Sequence, residues 1–160
     1  MKVLKFGGSS VASSENIKKV INIIIATSKK QKIIVVVSAF GKTTNALIEG
    51  AHLAQNKNSG YKEIIQKLEK HHFNVIEELI PTEQQPTIIA HIKELFNQLE
   101  TIYKGCYLLE ELSPKTLATI SSFGELLSAS IIAEISNLKI DTIYKDSGDL
   151  IVASEMKLDA

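Results

Sequence analysis

The first forty residues combine two hydrophobic periodicities. Short apolar runs rich in β-branched residues cover residues 3–6 and 33–37, as is typical of buried strands. The segment between them has Ser13 or Ser14 as a candidate N-cap. Its apolar residues recur at the spacing of one helical face: Ile17, Val20, Ile21 and Ile24. This pattern predicts a right-handed βαβ unit with parallel strands, and therefore an α/β fold.

Most of the remaining chain has helical periodicity. Ser113 and Pro114 suit the N-cap and first turn of one of its helices. A third strand is predicted at residues 139–144 after that helix. Prolines and polar stretches divide the helical part into four predicted helices, at about residues 44–55, 61–79, 87–112 and 115–136.

The first strand ends in residues suited to binding phosphate. Gly7 and Gly8 let the backbone approach an anion closely and adopt φ angles that other residues avoid. Ser9 and Ser10 add hydroxyl donors, and Lys5 supplies a positive charge. A helix N-terminus is expected near this loop. An ordinary strand-to-helix turn would have the same spacing, so the loop alone leaves both interpretations open.

Composition limits the classes of function. Eighteen lysines balance eighteen carboxylates, so no net charge draws the chain to nucleic acid or to an anionic membrane. We expect no membrane partner, because no apolar run approaches the length of a membrane span, and we expect a cytoplasmic location. The one cysteine, Cys106, is expected to have a packing role.

The histidines are not expected to bind metal. His71 and His72 are adjacent, so on a helix they point about 100° apart, and the region contains no His-x-x-x-His pair. We expect both on a solvated face. His52 and His91 are isolated in the sequence, and we predict no metal-ligating residue.

Two absences suggest an incomplete site. The chain has no arginine, although a guanidinium is the usual group for gripping a carboxylate or a transferring phosphoryl group. Its aspartates all lie in the last twenty residues, at Asp141, Asp146, Asp149 and Asp159. Phosphoryl transfer usually needs carboxylates that hold magnesium. Either other groups bind the phosphoryl group and the magnesium, or part of the site lies outside this chain.

The segment after the second strand has two interpretations. Gly41, Lys42 and Thr43 resemble the end of a P-loop, but the first glycine of that motif would fall at Val36, inside the strand. The alternative is that polar residues after the strand line the ligand crevice found at the carboxyl ends of parallel strands. We favour this second interpretation.

Three ordered segments resemble the signature motifs of aspartate kinases, members of the amino-acid kinase superfamily. Residues 5–12 read Lys-Phe-Gly-Gly-Ser-Ser-Val-Ala, residues 37–45 read Val-Ser-Ala-Phe-Gly-Lys-Thr-Thr-Asn, and residues 122–129 read Ser-Phe-Gly-Glu-Leu-Leu-Ser-Ala. Ser9 replaces the usual threonine and retains its hydroxyl. Leu126 replaces the usual arginine, which removes one salt-bridge partner.

This resemblance implies a three-layer αβα sandwich with a mainly parallel sheet. Residues 1–160 would be the N-terminal portion of the kinase domain, with a helical insert at about residues 44–112. The nucleotide-binding remainder and the regulatory domains would lie outside the chain. The resemblance also covers enzymes in which the kinase is fused to a homoserine dehydrogenase. The complete enzyme is expected to form a homo-oligomer, and this chain alone is expected to be inactive.

The resemblance also implies the reaction and its residues. The γ-phosphoryl group of ATP, carried as its Mg²⁺ complex and without a tightly bound cofactor, would pass to the β-carboxylate of L-aspartate. This is the first step of lysine, threonine and methionine biosynthesis. Lys5 would be catalytic. The residues binding the ATP phosphates would be Lys5, Gly7, Gly8 and Ser9. The residues binding aspartate would be Ser38, Thr44 and Glu125.

Glu125 also attracts attention without the resemblance. It interrupts an apolar helix, where a carboxylate needs a partner to offset its desolvation, and a substrate ammonium would serve. The alternative is that Glu125 is exposed on the solvent side of the helix.

Other functions remain open: a superfamily kinase acting on glutamate, acetylglutamate or a nucleoside monophosphate, or a non-catalytic assembly module.

Overall fold

A computed structural model describes residues 1–151. It confirms the predicted α/β class, with a small parallel sheet and mostly helical structure around it. The elements are β1 (Lys2–Phe6), α1 (Ser14–Ser28), β2 (Ile33–Val37), α2 (Thr43–Gln55), α3 (Tyr61–Leu79), α4 (Gln85–Leu109) and α5 (Pro114–Asn137). The first two predicted strands and all five predicted helices are therefore present.

The two strands pair in parallel, and the faces of their sheet differ. Lys5 pairs with Val36 and Phe6 with Val37. The face that includes Phe6 and Val37 packs against the hydrophobic core. The opposite face has large exposed side chains: Val3 is 60% exposed, and Ile34 and Val36 are nearly half exposed. Within residues 1–151, helices therefore cover one face of the sheet only.

Helix α5 is central to the helical layer. It packs against α1, α2, α3, α4 and β2, and its buried side chains include Ile120, Leu127 and Ile131. It is the one described helix that is long and apolar enough to cross a membrane, with a mean hydropathy of 1.4 over its most apolar window. The expectation that no segment reaches that length was therefore wrong. Packing on five elements explains the apolar composition of α5.

Helix α4 begins earlier than predicted. The helix predicted at about residues 87–112 starts instead at Gln85 and includes Pro86 in its first turn. The first amide groups of a helix have no intrahelical carbonyl partner, so a proline there sacrifices no hydrogen bond. The helix ends at Leu109, and its C-cap residue, Glu110, has the left-handed φ of 56°.

The predicted third strand is absent among the described residues. Residues 139–144 follow the end of α5 as irregular chain. Their polar groups bond locally: the Thr142 amide donates to Asn137 Oδ1, and the Thr142 hydroxyl donates to the Ile140 carbonyl. Ile140 packs on the core. A β-branched sequence forms a strand only where a neighbouring edge can accept its hydrogen bonds, and local bonds satisfy this segment instead.

The expected solvated position of His72 was also wrong. Its side chain is fully buried, because it continues the apolar stripe of α3 formed by Tyr61, Ile65, Leu68 and Val75. His71, the next residue on the helix, is half-buried, whereas His52 and His91 are exposed as expected. Cys106 is buried, in agreement with its predicted packing role.

Candidate functional site

The glycine turn after β1 lies directly against the loop that follows β2. The Gly41 amide donates a hydrogen bond of 3.2 Å to the Gly8 carbonyl. A Cβ added at Gly8 would lie 3.1 Å from the Ala39 carbonyl oxygen and 3.3 Å from that of Gly41. Gly7 has the ordinary φ of −75°. Close approach of two backbones therefore explains the second glycine, and an unusual φ is not required for the turn.

The same turn is tied to the start of α1. The Asn16 side-chain amide donates to the Ser9 carbonyl at 3.1 Å. Ser13 caps the helix by accepting a hydrogen bond from the Asn16 backbone amide. The helix N-terminus therefore adjoins the glycine turn, as predicted. Ser9 itself is exposed, and the positive end of the α1 dipole favours an anion in this region.

Lys5 lies on the open face of the sheet. It is exposed and pairs in the sheet with Val36, two residues before the glycine turn. No carboxylate in residues 1–151 forms a salt bridge with it. Its charge is therefore available at the strand end where the turn begins.

The loop after β2 has a compact and specific structure. Ser38 continues the pairing with β1 by donating its amide to the Phe6 carbonyl at 3.0 Å. Gly41 then adopts the left-handed φ of 54°, a conformation that favours glycine. Thr43 is buried, and its hydroxyl donates to the Phe40 carbonyl at 2.7 Å. Because this hydroxyl closes the turn into α2, it is not free for phosphate, which disfavours the P-loop interpretation.

Glu125 reaches this loop from α5. Its Oε1 accepts a hydrogen bond of 3.3 Å from the Ala39 amide. The side chain is exposed, so the predicted desolvation cost does not arise. The bond nevertheless holds the carboxylate at Ala39, the residue after Ser38, although Ala39 and Glu125 are 86 positions apart in the sequence.

Sequence reasoning did not single out Gly124, which lets α5 approach the loop. A Cβ at Gly124 would lie 2.7 Å from Ala39 Cβ and 3.4 Å from Thr44 Oγ1. The helix can therefore pack here only without a side chain. The Phe-Gly-Glu sequence, a glycine within an apolar helix next to a candidate site residue, is the signal that could have indicated close packing.

The described carboxylates do not cluster around the site. No group of three His, Cys, Asp or Glu side chains suited to a metal ion occurs in residues 1–151. Asp146 caps a local turn by accepting from the Gly148 amide. Asp159 lies outside the described residues. Glu125 is the one acidic side chain bonded to the loop after β2 within the described chain.

The predicted residues thus fall into two adjacent groups. Gly7, Gly8 and Ser9 form the turn after β1, with Lys5 on the preceding strand. A second group meets at the loop after β2 and contains Ser38, Thr44 and Glu125. The fold is that of an α/β protein, and a lysine on the strand, a helix N-terminus and polar side chains at the carboxyl ends of parallel strands are features suited to a small anionic ligand.

Comparison with known proteins identifies the family. The protein-family model described as "Amino acid kinase family" matches residues 1–150 of this chain. The chain therefore belongs to the amino acid kinase family. It is 36% identical over 84% of its length to Aspartokinase 1, chloroplastic, of Arabidopsis thaliana, covering 23% of that protein. It is 33% identical over 87% of its length to the bifunctional aspartokinase/homoserine dehydrogenase of Buchnera aphidicola, covering 17% of it.

Solved structures agree on the fold. The E. coli aspartokinase III structure in complex with aspartate and ADP superposes with a TM-score of 0.73 at 26% identity, covering 86% of this chain and 29% of the other. The same enzyme with lysine and aspartate gives a TM-score of 0.72, also at 26% identity, covering 84% of this chain and 28% of that one. The chain spans less than a third of the length of each of these relatives.

Proposed function

We propose that this chain forms the aspartate-binding part of an aspartate kinase. The enzyme transfers the γ-phosphoryl group of ATP to the β-carboxylate of L-aspartate and yields 4-phospho-L-aspartate, the first step of lysine, threonine and methionine biosynthesis. The observation that carries the proposal is the hydrogen bond from the Ala39 amide to Glu125, because it joins two of the motif segments at one loop. The similarity to aspartokinases supports the same reaction.

The reaction requires mainly that its two substrates be positioned correctly. A carboxylate is already a nucleophile, so catalysis consists of aligning two anions and neutralising the charge between them. We assign phosphate binding to the turn after β1, where Gly7, Gly8 and Ser9 offer backbone amides and a hydroxyl. The Lys5 ammonium neutralises charge on the phosphoryl oxygens, which makes it the catalytic residue of the set.

We assign binding of the substrate L-aspartate to the loop after β2. Glu125 uses Oε1 for the Ala39 amide, which leaves Oε2 for the substrate ammonium. Ser38 and Thr44 are only partly buried, and their hydroxyls can bond the substrate carboxylates. Both assignments follow from side chains that adjoin one loop.

Magnesium is treated as part of the nucleotide substrate. The described residues do not fit a protein-held Mg²⁺ site, since no cluster of carboxylates surrounds the turn after β1, and Mg²⁺ requires oxygen ligands. No step is therefore assigned to a metal held by this chain.

Residues 1–160 are proposed to be the N-terminal portion of the kinase domain, with the helical insert at about residues 44–112. The bare sheet face at Val3, Ile34 and Val36 supports this proposal, because a sheet of this type normally has helices on both faces. We assign the covering layer and the nucleotide-binding residues to additional chain. We also propose that the complete enzyme is cytoplasmic and assembles as a homo-oligomer, as the sequence and the resemblance to aspartate kinases led us to expect.

The 160-residue chain alone is expected to have no aspartate-dependent kinase activity. It contains no arginine, and its described part lacks a carboxylate cluster for the nucleotide's metal. Release of ADP from ATP should therefore be the same with and without aspartate in a coupled assay. The complete enzyme, assayed in parallel, is the control. Aspartate-stimulated ADP release by the chain alone would contradict the division of the site.

The Glu125→Gln variant of the complete enzyme is expected to raise the KM for aspartate by about tenfold to a hundredfold. The amide keeps the size of the side chain and can still accept from Ala39, but it loses the charge that pairs with the substrate ammonium. The KM for ATP should change little. Glu134→Gln, an exposed position on the same helix, is the matched control. An unchanged aspartate KM in Glu125→Gln would refute the assigned role.

A further inference from the structure

The loop after β2 is anchored in the helical layer by one aromatic side chain. Phe40 is only 1% exposed, and its ring stacks on the His72 ring of α3 with centroids 5.2 Å apart and an interplanar angle of 21°. The His71 ring lies nearly perpendicular to the Phe40 ring, with centroids 6.3 Å apart. Phe40 lies between Ala39, which bonds Glu125, and Gly41, which bonds Gly8. The stack therefore supports the segment that joins both groups of site residues.

The His72 ring is itself held in one orientation. Its Nδ1 lies 2.7 Å from the Leu68 carbonyl, and since a carbonyl can only accept, Nδ1 carries the proton. Phe96 contacts the ring edge-on from α4, with centroids 5.6 Å apart. Burial lowers the pKa of His72 to about 4, so the ring is neutral near pH 7. A fixed, uncharged plane thus faces Phe40.

The remaining nitrogen of this ring has no partner. His72 Nε2 is buried and makes no hydrogen bond within the described residues. Leaving a buried polar atom unpaired costs free energy, so an apolar side chain would be the more stable choice for packing alone. Packing stability alone therefore does not explain the histidine, whereas its planar ring supplies the face that stacks on Phe40.

We propose that His72 is a positioning residue for the amino-acid substrate, acting through the Phe40 ring on the loop that holds Ser38 and the Ala39 amide. This inference rests on the proposed function and extends it to a residue of the helical insert that does not touch the substrate. The planar stack fixes Phe40, Phe40 fixes the backbone on either side of it, and that backbone sets the distance between Ser38 and Glu125.

Two replacements at position 72 separate positioning from packing. His72→Leu keeps an apolar side chain but removes the plane that stacks on Phe40, whereas His72→Phe restores the plane. In the complete enzyme we expect His72→Leu to raise the KM for aspartate about tenfold with the KM for ATP unchanged. His72→Phe should return the aspartate KM to within about threefold of the wild-type value. Equal aspartate KM values for His72→Leu and the wild type would overturn the proposal.

Phe40→Leu provides a second route to the same conclusion if His72→Leu does not fold. It removes the other half of the stack and should raise the aspartate KM similarly, with little additional effect when both changes are combined, because one contact is lost in each case. Tyr103→Phe is the control. It removes a buried hydrogen bond to the Leu47 carbonyl but leaves both rings of the Phe40–His72 stack in place, and it should leave the aspartate KM unchanged.

Amide hydrogen exchange tests the inference independently of the reaction. In the full-length protein without substrates, His72→Leu should accelerate exchange of the Ala39 and Gly41 amides by about tenfold or more, and Tyr103→Phe should not. Unchanged exchange in His72→Leu would overturn the positioning role whatever the substrate is. Accelerated exchange in a protein without aspartate-dependent activity would support the anchoring of the loop and refute the aspartate kinase assignment instead.

Discussion

Replacing Lys5 with methionine in the complete enzyme is expected to lower kcat by about a hundredfold to a thousandfold. Methionine keeps the length and much of the apolar volume of the side chain but removes its charge. The charge matters because negative charge on the phosphoryl oxygens must be neutralised while two anions approach. Lys5 is exposed beside the glycine turn, with no salt-bridge partner among residues 1–151, so the loss should fall on catalysis and leave folding largely unaffected.

Lys2→Met is the matched control for Lys5→Met. Lys2 lies on the same strand and is also exposed, but it is at the opposite end from the glycine turn. Steady-state kinetics of both variants at saturating ATP and aspartate would measure the difference in kcat. Near-normal turnover of Lys5→Met would remove Lys5 from the catalytic role, and an equal loss in both variants would indicate an effect of strand charge in general.

Gly124→Ala is expected to destabilise the protein by about 1–3 kcal/mol and to raise the aspartate KM by about tenfold. The added Cβ would lie 2.7 Å from Ala39 Cβ and 3.5 Å from Leu47 Cδ1. Neither neighbour can move freely, since Ala39 belongs to the loop and Leu47 is fully buried. Helix α5 must therefore shift outward, which lengthens the bond from the Ala39 amide to Glu125.

Gly105→Ala provides an internal standard for Gly124→Ala. Gly105 is also within a helix, α4, and a Cβ added there would meet nothing within 4 Å. Alanine is a better helix former than glycine, so this change should stabilise the protein by about 0.5–1 kcal/mol. Urea denaturation measures both variants. Stabilisation of equal size in the two would show that α5 does not press on the loop as the structure indicates.

The fold was predictable from the sequence where one periodicity dominated over a whole element. Helix α3 matched its predicted range, and Ser13, one of the two candidate N-caps, caps α1, because apolar spacing and capping chemistry agree there. The prediction of a strand at residues 139–144 was wrong because a strand forms only beside another strand that can accept its hydrogen bonds. The propensities of single residues do not indicate whether such a strand is present. The predicted exposure of His72 was wrong because the polar type of the residue was given more weight than its position on the apolar stripe of α3.

The placement of the candidate site residues was predictable where a motif is contiguous. The glycine turn and the loop after β2 are short stretches of chain, and both adjoin the strand ends as expected. What the sequence could not supply was contact between distant segments. The bond from Ala39 to Glu125 joins residues 86 positions apart, and the room left by Gly124 is visible only once α5 and the loop are in place.

The most direct test of the proposed function is the choice of phosphoryl acceptor by the complete enzyme. Trapping of the acyl phosphate with hydroxylamine would compare L-aspartate, L-glutamate and N-acetyl-L-glutamate at equal concentrations with ATP and Mg²⁺. We expect a hydroxamate product with aspartate at a rate at least about a hundredfold above that with either alternative, because the distance from Glu125 to the loop is fixed. Preference for glutamate or N-acetylglutamate, or no hydroxamate with any acceptor, would contradict the assignment.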